Sequence, residues 1–382
     1  MAFPIEKFKD IRTPFYYYDM ALLDETLQEI KKYLKPNYHM HYAVKACTNA
    51  DVLKHIAGAG FGCDCVSGGE IEACLAAGIQ AKDIVFAGVG KSDWEIELGL
   101  KEGIGFFNVE SIPELEVINE MAKERGTVAH VSFRINPNVG AHTHANITTG
   151  LAENKFGIDM VDMVDVIRMA QQMSHIEFMG LHFHIGSQLL EMDDFVALCH
   201  RINELQEKLE AEGIQVANIN VGGGLGIDYQ DPDAHPVPNF KAYFEAFNDN
   251  LQLREGQHLH FELGRAVVGQ CGSLISKVLF VKKNAIKQFA IVDAGMTDLI
   301  RPALYDAFHL VQNITSPDNV PEKYDVVGPI CESSDVFVKD HTMPAVKRGD
   351  LVALRSAGAY GEIMASQYNC RRLPQGISSE KL

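Results

Sequence analysis

The chain has 382 residues, of which 47% are hydrophobic and 22% charged, and it carries a formal net charge of -17. That length exceeds what one hydrophobic core ordinarily serves, so a globular protein of two domains is predicted. The acidic balance excludes nucleic acid or an anionic membrane as partner, because both require a basic face, but it permits a small anionic ligand held by local positive charge.

In chain order, the opening "MAFPIEKFKDIRTP" has no apolar core of signal-peptide length, and no later run is long enough to span a bilayer. "TPFYYYD" reads as a strand, followed by a helix from Ala21 to Tyr33. Short apolar runs then alternate with amphipathic segments. The predicted strands are Met40–Val44, Phe61–Val66, Asp83–Gly88, Gly105–Val109, Ala129–Ile135, Ile176–Ile185, Val216–Gly222 and His258–Leu263. Between them, Ser111 is placed to cap a helix with Pro113 in its first turn. In the helix that precedes Gly213, Phe195, Cys199, Ile202, Leu205 and Leu209 share one face.

Such alternation predicts an α/β fold, a (β/α)8 TIM-like barrel over residues 22–266, with an open doubly wound sheet as the competing topology. Beyond Arg265 the runs "SLISKVLFVKKN", "KQFAIVDAG", "KYDVVGPIC", "SSDVFVK" and "GDLVALRSAG" are strand-like. Residues 267–382 are therefore predicted to form a β domain, barrel or sandwich, that also takes in 1–21. The eight cysteines are scattered, Cys63 and Cys65 being the only close pair, with no C-x-x-C. This predicts reduced thiols, mostly core residues, in a cytoplasmic protein.

A barrel places its reactive groups where strands end. Lys45 closes the first run, Asp64 lies in the second, and Arg134 and Asn136 lie at the fifth. "HFHIGS" brings His182, His184 and Ser187, "GGGLG" brings Gly222 to Gly226, and Glu262 ends the eighth run with Arg265 beyond it. Glycines after a strand let backbone N–H groups approach a phosphate, and Ser187 would add a hydroxyl. Glu262, in an otherwise apolar strand, needs a cationic partner such as a protonated ring nitrogen. An amine, a phosphate cradle and a carboxylate in one pocket are what pyridoxal phosphate requires. His182 and His184 on one side of a strand would alternatively serve a metal-dependent hydrolase.

On "TPFYYYD", "YAVKA", "FGCDCVSGGEI", "GLHFHIGSQ", "NVGGGLGIDY", "ELGR", "DAGMTDLIRPALYDAFH", "GPICESSD" and "GAYG", the chain resembles the fold type III pyridoxal-phosphate-dependent decarboxylases. The likeness runs over almost its whole length and is nearest to the members acting on diaminopimelate. It implies that Lys45 holds the cofactor, with Asp64 and Arg134 near it. His184 would stack on the ring, and Ser187 and Gly222, Gly223 and Gly224 would bind the phosphate. Glu262 would pair with the ring nitrogen, and Gly264, Arg265 and Tyr360 would complete the cofactor site. Lys45, His184 and Cys331 would be the catalytic set, Cys331 as proton donor and Glu332 as a substrate contact. In the family these last two reach the partner subunit's site, which implies a homodimer with shared sites.

Relatives acting on ornithine, arginine or lysine need acidic residues for a cationic end. Here "TDLIRPALY" offers Arg301 and Tyr305, with Arg265 nearby, a setting for a carboxylate. The resemblance thus implies decarboxylation of meso-diaminopimelate to L-lysine and carbon dioxide, the last step of bacterial lysine biosynthesis, with no metal. The sequence departs from the family pattern at Leu263, Ser334 and Cys47 and in the tail after Gln367, none of them a proposed catalytic group. A racemase, a non-catalytic pyridoxal-phosphate carrier and a carboxynorspermidine decarboxylase are the related alternatives.

Overall fold

The computed structural model describes residues 3–139, 155–316 and 320–382. The chain forms two compact units, one of Leu27–Gly226 with Asn239–Gly264, the other of Met1–Thr26, Ile227–Pro238 and Arg265–Leu382. The short segment Ile227–Pro238, which strand-helix alternation counts with the barrel over 22–266, groups with the β unit. Its side chains explain why: Asp233 pairs with Arg355 at 2.9 Å and Tyr229 with Arg301 at 2.9 Å, contacts between residues far apart in sequence.

The first strand, β1 (Phe15–Tyr18), belongs to the β unit. The next eight are β2 (Tyr38–Ala43), β3 (Gly62–Cys65), β4 (Ile84–Phe86), β5 (Phe106–Val109), β6 (Ala129–Arg134), β7 (Ile176–His182), β8 (Asn218–Asn220) and β9 (His258–Leu263). They pair in parallel in chain order, and β2 closes on β9 with His41 opposite Glu262. The sheet is therefore a closed barrel, and the open-sheet alternative falls. All eight predicted runs are strands and differ only at their ends. The Ile176–Ile185 run leaves the ladder after His182, and Val216–Gly222 is strand only at Asn218–Asn220. The residues released this way form the loops at the barrel mouth.

Strands of this kind are buried on both faces, which is why they read as apolar runs rather than alternating ones. The helices follow their local signals. Ser111 accepts a hydrogen bond from the Glu114 N–H, Pro113 lies in the first turn, and Gly126 ends the helix at φ +70°. The helix Met192–Ala211 buries Phe195, Cys199, Ile202, Leu205 and Leu209, the predicted face.

In the β unit, β10 (Gly272–Lys283), β11 (Gln288–Val292), β12 (Val311–Asn313), β13 (Pro321–Val327), β14 (Val336–Pro344) and β15 (Leu351–Leu354) pair in the order β12-β15-β10-β11-β13-β14. The first half of β10 pairs with β1 and β15, and its second half pairs with β11. β1 also takes β16 (Gln375–Ser378) as a parallel neighbour, so the divergent tail ends inside the sheet. Phe8, Phe15, Tyr17, Ile275, Leu351 and Ala353 form a core there, Phe8 meeting Phe15 edge-on at 5.1 Å. Six of the eight cysteines are buried; Cys331 and Cys370 are exposed.

Candidate active site

Lys45 sits in a tight turn, Val44–Ala46, at the C-terminal end of β2. Its Nζ donates to Asp64 Oδ2 at 2.9 Å; the Lys45 side chain is 38% exposed and that of Asp64 only 1%. On the next layer of the mouth, Glu262 is buried and its carboxylate accepts three bonds. Asn220 Nδ2 donates at 2.6 Å, Asn108 Nδ2 at 3.3 Å and His182 Nε2 at 3.0 Å. His182 meets this carboxylate through Nε2, and among the described residues no group of three or more His, Cys, Asp or Glu is placed to hold a metal.

The two carboxyl groups are driven apart in acidity. Burial and the charge of Glu262 push Asp64 up to about 6, against the pull of Lys45. Burial pushes Glu262 up as well, but His182, Lys45 and His41 outweigh it and hold Glu262 below the ordinary carboxylate range. Glu262 is accordingly the more acidic of the two, and Asp64 the one whose carboxyl is raised, to about 6. Burial, with the charges of Arg134 and Lys45, keeps His184 well below its usual value, so its ring is neutral.

The glycine strap follows β8. Gly222 has φ +68°, and a Cβ on Gly223 would lie 2.0 Å from the Glu262 carbonyl oxygen, so neither position admits a larger residue without moving the backbone. Of the amides expected to face a phosphate, that of Gly222 is taken by Asn220 Oδ1 at 2.9 Å, while that of Gly223 makes only a long 3.4 Å bond to His184 Nδ1. Ser187 lies in the loop after β7 of the same unit. Gly264 packs against Ala43 and Ala46, where an added Cβ would meet both methyl groups at 3.1 Å. Arg134 pairs with Glu110 at 3.0 Å and lies over the Phe156 ring at 4.5 Å.

Asn108, Glu110, Asn220 and the Glu262-holding role of His182 were not read from the sequence. Asn108 offers a signal, a polar residue in the short apolar strand "FFNV"; Asn220 is buried in the strand "NIN" and Glu110 just past Val109. Glu110 also accepts the Gly88 and Gly157 N–H groups at 3.2 and 2.9 Å, tying two loops to Arg134.

The remaining predicted residues lie in the β unit. Arg265 and Arg301 are both buried, and each donates to Tyr229 Oη, at 2.5 and 2.9 Å. Tyr360 places its ring 4.9 Å from the Arg265 guanidinium, and Tyr305 ends the short helix Arg301–Tyr305. Cys331 and Glu332 are not in this cluster. Both are exposed; Cys331 N–H donates to Asn369 Oδ1 at 3.1 Å, and Glu332 accepts from Tyr368 Oη at 2.6 Å.

At the barrel mouth, Asp64 Oδ1, Asn108 Oδ1 and His182 Nδ1 are buried with no hydrogen-bond partner from the protein. Beside an amine, a fixed anion and a neutral imidazole, such atoms fit a polar aromatic group bound there. Residues 20–269 match the family model for the pyridoxal-binding domain of pyridoxal-dependent decarboxylases. The chain is 66% identical to the diaminopimelate decarboxylase of Bacteroides thetaiotaomicron, over 100% of this chain and 99% of that protein. The chain belongs to the diaminopimelate decarboxylase family. A Neisseria meningitidis diaminopimelate decarboxylase is 44% identical over 94% of this chain and 87% of its own. The crystal structure of the Helicobacter pylori diaminopimelate decarboxylase complexed with L-lysine superposes with a TM-score of 0.93 at 40% identity, covering 99% of this chain and 94% of that one. As in the rest of the diaminopimelate decarboxylase family, pyridoxal phosphate is the cofactor.

Proposed function

We propose that the protein removes carbon dioxide from meso-diaminopimelate and leaves L-lysine, the last step of lysine biosynthesis. The observation that carries the substrate is the Arg265–Arg301 pair. Arg301 is buried, and among the described residues it meets no carboxylate. A pocket with two guanidinium groups suits a substrate whose far end bears a carboxylate, and it repels the cationic ends of ornithine or arginine. Diaminopimelate decarboxylases matching over 94–100% of this chain support the same substrate.

Pyridoxal phosphate, when bound, takes up the electron pair left as the carboxylate departs. Lys45 would hold the cofactor through Nζ. Asp64 accepts from Lys45 Nζ at 2.9 Å and would stay beside that amine. Glu262, held below the ordinary carboxylate range by His182, would pair with the ring nitrogen. His184 would face the ring, and Ser187 with the Gly223 and Gly224 amides, aided by Tyr360, would hold the phosphate. Arg265, Arg301 and Tyr305 orient the far carboxylate. Cys331 returns a proton to the carbon and Glu332 contacts the substrate amine. Both are exposed, which fits their serving the site of the opposing protomer in a homodimer. The eight free cysteines suit a reducing cytoplasm, where we place the enzyme.

The test is carbon dioxide release from meso-diaminopimelate, beside ornithine and arginine, by wild type and Arg301→Glu. Turnover of diaminopimelate alone, abolished in the variant, is expected. An undiminished kcat/KM in Arg301→Glu, or preference for ornithine, would overturn the assignment.

A further inference from the structure

Two guanidinium groups held side by side repel, and burial adds the cost of desolvating each charge. Both donate to neutral groups of the β unit. Arg301 Nη1 donates to Tyr229 Oη at 2.9 Å and to His309 Nε2 at 2.9 Å. Arg265 Nη1 donates to the same Tyr229 oxygen at 2.5 Å. With both lone pairs of that hydroxyl occupied by cations, its own proton remains to be given to an acceptor.

His309 is fully buried, and its protonation state follows from its neighbours. Its Nδ1 faces the Arg355 carbonyl oxygen at 2.9 Å, which can only accept, so Nδ1 carries the proton. Nε2 therefore presents a lone pair, which suits the Arg301 donor. Burial and the Arg301 charge hold the ring neutral, pushed down to about 3. The Tyr229 and His309 rings meet edge-on at 5.2 Å, so each limits the other's orientation.

We propose that Tyr229 and His309 preset the Arg265–Arg301 pair for the terminal carboxylate of the substrate, with the Tyr229 hydroxyl proton as an additional donor to that carboxylate. His309 is a positioning residue, acting through Arg301. The proposal rests on the substrate reading above. It explains why a residue from the short segment Ile227–Pro238 meets two arginines and a histidine from the stretch after Gly264.

The experiment compares Tyr229→Phe, His309→Asn and His309→Gln holoenzymes. It measures kcat and KM for meso-diaminopimelate, and calorimetric affinity for pimelate, a dicarboxylate without amines. Asparagine can keep the donor to Arg355 but loses the acceptor for Arg301; the longer glutamine places its oxygen where Nε2 was. Tyr229→Phe and His309→Asn should raise KM and the pimelate Kd by about tenfold or more, as loss of a hydrogen bond to a charged group does. kcat should change by less than about threefold. His309→Gln should stay within about threefold of wild type in both. Unchanged KM in Tyr229→Phe and His309→Asn, or equal losses in the two His309 variants, would overturn the proposal. Thermal unfolding of each variant identifies one that fails to fold; Tyr229→Phe, which loses one oxygen, then carries the test. If wild type itself ignores diaminopimelate, the substrate reading fails, and the pimelate affinities still decide the positioning role.

Discussion

Asp64→Asn isolates the energetic conflict at the barrel mouth. In the folded protein without cofactor, the Asp64 carboxyl is raised from 3.8 to about 6, by burial first and by Glu262 second. A raised acid binds its proton more tightly in the folded than in the unfolded chain. The stability this contributes is full below the unfolded value and is lost as pH rises through about 6. At about 1.4 kcal/mol per tenfold, the interval amounts to at most about 3 kcal/mol. Asparagine has no proton to lose, so the variant should gain up to about 3 kcal/mol over wild type at pH 8, with the difference vanishing near pH 4. Urea unfolding of both proteins across that range, with the cofactor removed, measures the difference; exposed carboxylates titrate alike in both and cancel. A difference that stays constant between pH 4 and 8, or a variant less stable than wild type at pH 8, would refute the reasoning. The first outcome would mean Asp64 is ionised throughout; the second would mean its bond to Lys45 outweighs its burial.

Lys45→Ala should abolish decarboxylation and remove the visible absorbance of the lysine-bound cofactor; retention of both would exclude Lys45 as the anchor. Gly223→Ala brings a methyl against the Glu262 carbonyl oxygen, which lies 2.0 Å from the Cβ position. Overpacking against backbone costs roughly 1–3 kcal/mol and should weaken cofactor retention, read from the absorbance surviving dialysis, more than it lowers the unfolding midpoint. Equal retention by variant and wild type would show that the strap shifts freely.

The periodicity of apolar runs was enough to specify the barrel strands, because parallel strands covered on both faces must be continuously apolar. Ser111 and Pro113, likewise, act within their own turn and need nothing distant. The strand ends at Lys45, Asp64, His184, Gly222 and Glu262 were legible for the same reason: a charged or glycine-rich break in an apolar run marks where the chain leaves the ladder. What the sequence could not show is how those residues pair. Glu262 is held by Asn108, Asn220 and His182, from three other strands, and only barrel closure brings them together. The acidity of Asp64 likewise depends on burial and on a charge 198 positions away, Glu262. Ile227–Pro238 falls between two barrel elements in the sequence, yet Asp233 and Tyr229 bond to side chains of the β unit. Local pattern thus determined the elements and the residues at their ends. Partnership, protonation and the fate of that short segment were decided by tertiary structure, because each depends on groups distant in sequence that meet only once the chain has folded.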